Sequence, residues 1–136
     1  MKTLKIACYE ISEYQILEEN EFNYLYPTLF KFNSMFGLDI FASNETVLNE
    51  KKLIELFSLI ENVLEEIIKT NYNPPDLNKM SKYPGRFEKF IFKNRSYIVD
   101  YTFSSTGRLM YTLYLRLKFL EKIINVHGEG ILIPIK

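Results

Sequence analysis

The stretch from Arg86 to Phe119 constrains this chain most, because its apolar residues recur at two competing spacings and the residues between them must choose. Read as RFEKFIF, KNR, SYIVDYTFS, STG and RLMYTLYLRLKF, it has the form of three consecutive antiparallel strands. In the middle run Tyr97, Val99, Tyr101 and Phe103 alternate with Ile98, Asp100 and Thr102, the period of two of a strand with one buried face. The third run sets Leu109, Tyr111, Leu113, Leu115, Leu117 and Phe119 against Arg108, Met110, Thr112, Tyr114, Arg116 and Lys118. Ser105-Thr106-Gly107 suits a hairpin loop whose last residue, Gly107, takes positive φ.

That loop implies a register. Tyr101 faces Tyr111, Val99 faces Leu113 and Tyr97 faces Leu115, apolar on apolar throughout. A tight turn at Asn94-Arg95 would pair Phe92 with Tyr97, Phe90 with Val99 and Lys89 with Asp100. Both hairpins then send Val99 and Tyr97 into one core, and a one-residue slip would turn the set outward. The rival reading makes Ser105 a helix cap, with Leu109, Leu113, Leu117, Leu120 and Ile124 as a helical stripe, and leucine favours it. Agreement between alternation and turn chemistry favours the meander.

The rest of the chain is long enough to build a core around such a sheet. With 136 residues, 47% of them hydrophobic and no low-complexity tract, residues 1–136 are expected to form a single domain and not a disordered chain. No apolar run approaches the length of about 18 residues needed to span a membrane. A small residue before Cys8 resembles a lipoprotein cleavage site, but Lys5 interrupts the segment, so the expectation is a soluble, cytoplasmic protein. One cysteine excludes an internal disulfide and a cysteine-cluster metal site.

Lys2 to Ile11 reads as a strand with Cys8 on the apolar face of Leu4 and Ile6. Ser12 to Glu21 reads as an acidic turn or short helix without the alternation and glycine of a calcium loop. Pro27 suits the first turn of a short helix reaching about Met35 and ended by Gly37, with Leu38 to Phe41 as a short strand. Asn49 caps the clearest helix, about 50–70, with Leu53, Phe57, Ile60, Leu64 and Ile67 as its apolar stripe. Residues 72–85 read as a long irregular connection, and Ile131 to Ile135 as a strand with Pro134 at a sheet edge or strand end. The expected fold is α+β: an antiparallel sheet built on the three-stranded meander at about 87–119, joined by the N- and C-terminal strands and covered by the 50–70 helix.

Chemistry is sparse. His127 is the sole histidine, Gly128-Glu129-Gly130 is too short to cradle a phosphate, and Asp100 reads as half of a structural ion pair with Lys89. No catalytic residue, metal or cofactor is expected, and the chain is read as a binding protein and not an enzyme. Its zero net charge hides a split: residues 1–50 carry three lysines against eight acids, while residues 76–136 carry eleven basic groups against five acids. One reading of the split is simple internal neutralisation. The other is a charged surface for a partner, with Glu13, Glu18, Glu19, Glu21 and Tyr24 as its contact residues.

The function expected on that basis is a protein-binding inhibitor of the bacterial toxin-immunity kind, occluding the active site of a basic partner such as a nuclease. Replacing Glu18, Glu19 and Glu21 by Lys should then slow association while leaving folding intact. One alternative is an RNA-binding module using Lys79, Lys82, Arg86, Lys93 and Arg95 interleaved with aromatics; another is a small-ligand pocket in the curved sheet.

Overall fold

The computed structural model describes residues 3–136. Strand β1 (Thr3–Cys8) is followed by β2 (Glu13–Ile16), helix α1 (Glu19–Met35), strand β3 (Thr46–Leu48) and helix α2 (Glu50–Asn71). A short helix α3 (Leu77–Lys82) and a 3₁₀ turn at Pro84–Arg86 lead into the hairpin β4 (Phe87–Phe92) and β5 (Arg95–Asp100). Helix α4 (Ser105–Asn125) and strand β6 (Gly130–Ile135) complete the fold. The α+β class with an antiparallel sheet is as expected, but the sheet is assembled differently.

The main sheet has the order β2-β1-β6-β3, antiparallel throughout, and the β4-β5 hairpin stands apart as a two-stranded sheet. The terminal strands β1 and β6 are therefore its centre, not additions to a meander. Leu4, Ile6 and Cys8 of β1 and Leu132 of β6 face the helices, as the β1 alternation requires. Pro134 lies inside the β1 pairing but past the end of β3, whose ladder stops at Leu132, so its missing N–H breaks no bond on that side.

The third meander strand does not exist. Residues 105–125 form α4, capped by the Ser104 hydroxyl, which accepts from the Gly107 N–H at 2.9 Å. Buried residues on α4 run from Met110 through Leu113, Leu117 and Leu120 to Thr112, Arg116, Phe119 and Ile123, more than half its circumference. A helix buried so widely loses the single-stripe signature, and its apolar residues then satisfy a period of two by accident. The expected pairs Tyr101–Tyr111 and Val99–Leu113 are thus not strand neighbours, although Tyr101 and Tyr111 do meet edge to face at 5.7 Å. Gly107 has no positive φ; it is needed because a Cβ there would stand 2.9 Å from the Asp100 carbonyl and 3.2 Å from Val99 Cβ.

The first hairpin is real with its turn one residue earlier. Lys93 and Asn94 take φ of 48° and 66°, the twist of a two-residue I′ turn. Phe90 consequently pairs with Tyr97, Phe92 with Arg95 and Lys89 with Ile98. Each partner has moved by two, which preserves parity, so Phe90, Phe92 and Val99 still point into the core.

Helix α2 begins where Asn49 accepts from the Lys52 N–H at 3.0 Å, and Leu53, Leu56, Ile60, Leu64 and Ile67 bury its stripe against α4 and α1. The shorter helix expected at Pro27 starts at Glu19 instead, because Phe22, Leu25, Leu29 and Phe32 already form a buried stripe. Pro27 lies on the exposed side, where a missing backbone donor costs least. Gly37 at φ 60° ends α1, with the Leu38 N–H returning to the Asn33 carbonyl at 2.9 Å. Residues 38–41 are turn, not strand; the short strand lies at β3.

Candidate protein-binding surface

The acidic segment is brought against the basic face of α4. Glu13 receives Lys122 Nζ at 2.7 and 2.8 Å, and Glu18 is gripped by Arg108 through Nε at 2.8 Å and a terminal nitrogen at 2.9 Å. Glu21 is 1% exposed; its Oε1 accepts from Arg116 at 2.9 Å and from the Glu18 N–H at 3.0 Å, closing the first turn of α1. Arg116 also donates to Gln15 Oε1 and the Ile16 carbonyl, tying β2 and α1 to one guanidinium. The bond to Arg108 holds the Glu18 carboxyl below its ordinary range, whereas burial pushes Glu21 up against the pull of Arg116.

Three of the five expected contact residues are thus engaged within the molecule, and part of the charge split is neutralised internally. With Glu21 buried against Arg116, the Glu18, Glu19 and Glu21 triple Lys variant is no longer expected to fold normally. A lysine at position 21 would oppose Arg116 in the interior. Glu19 and Tyr24 differ: both are exposed on α1, and Glu19 has no ion-pair partner among the described residues.

The outward half of α1 carries more than those two. Tyr24, Tyr26, Phe30 and Met35 are 51, 43, 56 and 48% exposed on a helix whose inner stripe is complete without them. Tyr26 and Phe30 lie one turn apart, and Tyr26 stacks on Phe41 with centroids 4.9 Å apart. Residues 22–36 are dense in aromatics, and the inward and outward ones can be told apart by spacing. The signal was available: the 3-4-3 spacing of Phe22, Leu25, Leu29 and Phe32 leaves Tyr24, Tyr26 and Phe30 off the stripe.

The basic residues assigned to RNA do not converge. Arg86 and Lys79 line a cleft of about 240 Å³ beside the start of α4, with Asp76, Asp100 and Ser104. Arg86 Nε donates to Asp100 at 2.9 Å, which lowers the Asp100 pKa; Asp100 is an ion-pair member as expected, but with Arg86 in place of Lys89. Lys82 ends α3. Lys93 sits at the far tip of the hairpin, roughly 20 Å of strand away, and binds Glu65 at 2.7 Å, with Arg95 exposed beside it. Tyr83 and Phe103 are 57 and 75% exposed around Arg86, whose guanidinium lies 4.4 Å from the Phe103 ring centre. The expected curved-sheet pocket is not among these clefts, which lie beside the hairpin and the helices.

His127 is the left-handed residue that ends α4, its N–H returning to the Ile124 carbonyl at 3.0 Å. Cys8 is buried with its thiol 3.3 Å from Glu10 Oε2, and burial raises its pKa. No helix among the described residues is long and apolar enough to cross a membrane. Among known proteins, no family model, curated protein or solved structure matches this chain.

Proposed function

We propose that this chain is a protein-binding domain that acts by occlusion, an inhibitor of the toxin-immunity kind, and that the outward face of α1 is its contact surface. The observation that carries this reading is Phe30, 56% exposed one turn from Tyr26 on a helix whose buried stripe is complete without it. Tyr26 and Phe30 lie on one flank of α1 and Tyr24 and Met35 on the other, so each pair leaves on the order of 200 Å² in water. Tyr, Phe and Met are also the residue types enriched at protein interfaces.

Two features suit an inhibitor that binds tightly. The first turn of α1 is fixed to α4 by Glu18–Arg108 and Glu21–Arg116, so little ordering entropy is lost on binding. Glu19 at its start and Asp39 just past its end are exposed acids flanking the aromatics, which favours a partner with a basic rim, as a nuclease has. The test is capture from the source cell with the wild-type chain and Phe30→Glu side by side, followed by stoichiometric titration of the captured partner's activity. The expected result is one protein partner, inhibited by the wild type and neither held nor inhibited by the variant. Equal capture by both would overturn the assignment of the surface.

A second reading has its own observation. Tyr83 and Phe103 expose their rings around one cleft with Arg86, which suits stacking on single-stranded RNA. Capture of RNA that is lost on Phe103→Ala, with no protein partner, would favour it.

A further inference from the structure

The hairpin β4-β5 has two outer edges, and a side chain closes one of them. The Tyr72 hydroxyl donates to the Ile98 carbonyl at 3.1 Å and accepts from the Ile98 N–H at 3.4 Å, so Ile98 directs its backbone groups away from β4. Lys89 faces Ile98 across the ladder, so its N–H and C=O point away from β5, as do those of Ile91 two residues on. Strand β4 pairs with β5 alone, and among the described residues these outward groups meet no other backbone group. Beside them runs an open cleft of about 510 Å³, lined by Lys89, Phe90 and Ile91 of β4 and by Tyr114 and Lys118 of α4. A smaller one of about 120 Å³ shares Ile91, Tyr114 and Lys118 and carries the groove on to Phe92 and Leu117.

We infer that this groove takes an extended peptide segment of a protein partner, which adds to β4 as a third strand and sets a carboxylate between Lys89 and Lys118. In this mode main-chain hydrogen bonds supply affinity, and contacts to alternate side chains supply selectivity. Ile91, 61% exposed, and the Tyr114 ring offer the apolar contact. Tyr114 is held against Phe90 with ring centres 4.9 Å apart, so that wall is in place before anything binds. Charge decides the occupant. Lys89 and Lys118 are the charged residues lining the larger cleft; Lys118 has one acid within reach, Glu121 at 3.6 Å, and Lys89 has none among the described residues. Glu88 lies on the inner face of β4, near Tyr111. A second copy of this chain would bring its own Lys89 and Lys118 to the same cleft, like charge on like, whereas an acidic segment complements them. The edges of the main sheet are poorer templates, since β2 and β3 have four and three residues against six in β4.

No residue of α1 lines the groove, so this site and the proposed contact surface can fail independently. The test is selection of a random peptide library displayed on phage against the wild-type chain, followed by fluorescence anisotropy of the enriched peptide, made synthetically, on the wild type and three variants. Ile91→Pro removes an outward N–H without touching the ladder to β5, and Lys89→Glu reverses an exposed charge, so circular dichroism of both should match the wild type. The expected peptides alternate β-branched or aromatic residues around a central carboxylate. Their binding should fall at least about tenfold with Ile91→Pro, with Lys89→Glu and on N-methylation of the peptide backbone, and should be unchanged by Phe30→Glu. A library that yields no binder overturns the inference, as does a peptide held equally well by Ile91→Pro and Lys89→Glu. So does a wild type that self-associates until Ile91→Pro disperses it, because the edge then belongs to a second copy.

Discussion

Arg116 of α4 reaches the carboxylate of Glu21 in the interior at 2.9 Å, across 95 residues of chain, and each brings one polar atom, Nε and Oε2, that finds no partner. A half-satisfied buried pair of this kind stabilises little in itself but is costly to break, since the survivor is a bare charge in the core. Glu21→Ala should therefore destabilise by about 3–5 kcal/mol, while Glu21→Leu combined with Arg116→Met should recover most of that loss. Urea midpoints for the single and double variants decide it; equal losses for both would mean the pair is not the constraint.

Acid should weaken the fold through Glu18. Its pKa is lowered by Arg108, so its stabilisation is fully present above the ordinary value near 4.5 and is lost as pH falls through the lower folded value. Glu21 runs the other way. Its raised pKa makes the folded state take up a proton first, which favours the fold as pH falls toward 4.5. Glu18→Gln should flatten the loss of stability below that pH, and denaturant titrations from neutral pH to acid would show it. An unchanged acid limb would place the titrating group elsewhere.

Gly107→Ala should destabilise despite alanine's better helix propensity. The new Cβ meets the Asp100 backbone carbonyl at 2.9 Å, a contact that no side-chain rotation relieves. An overpacking penalty of about 1–3 kcal/mol outweighs the gain of about 1 from propensity. Gly85→Ala has open space and should be neutral or slightly stabilising, so thermal unfolding of the two variants gives opposite signs.

Val99, 2% exposed, and Arg95, exposed at the hairpin tip, lie on the same side of β5, one buried near its end and the other open to water at its start. Val99→Asp should cost more than about 3 kcal/mol by burying an unpaired charge, whereas Arg95→Ala should change stability by less than about 0.5. Comparable urea midpoints for the two would contradict the assignment of the inner face.

By itself the sequence determined the elements whose cause is local. Asn49 capping α2, its stripe through Leu53, Ile60, Leu64 and Ile67 (with Leu56 buried in place of the expected Phe57), Gly37 ending α1, the burial of Cys8 and Pro134 near a strand end all follow from propensity, capping and spacing within a few residues. Even the first hairpin kept its inner face when its turn moved, because alternation fixes parity more firmly than it fixes register. Only the tertiary structure decided residues 105–125. A helix enclosed by α2, α1 and the hairpin is buried on several sides, so its pattern no longer names its period. The same holds for the site: Glu19 and Glu21 are both acids near the start of one helix, yet one is solvated and the other sealed against Arg116. That difference is set by what α4 brings from the far end of the chain, and no local rule contains it.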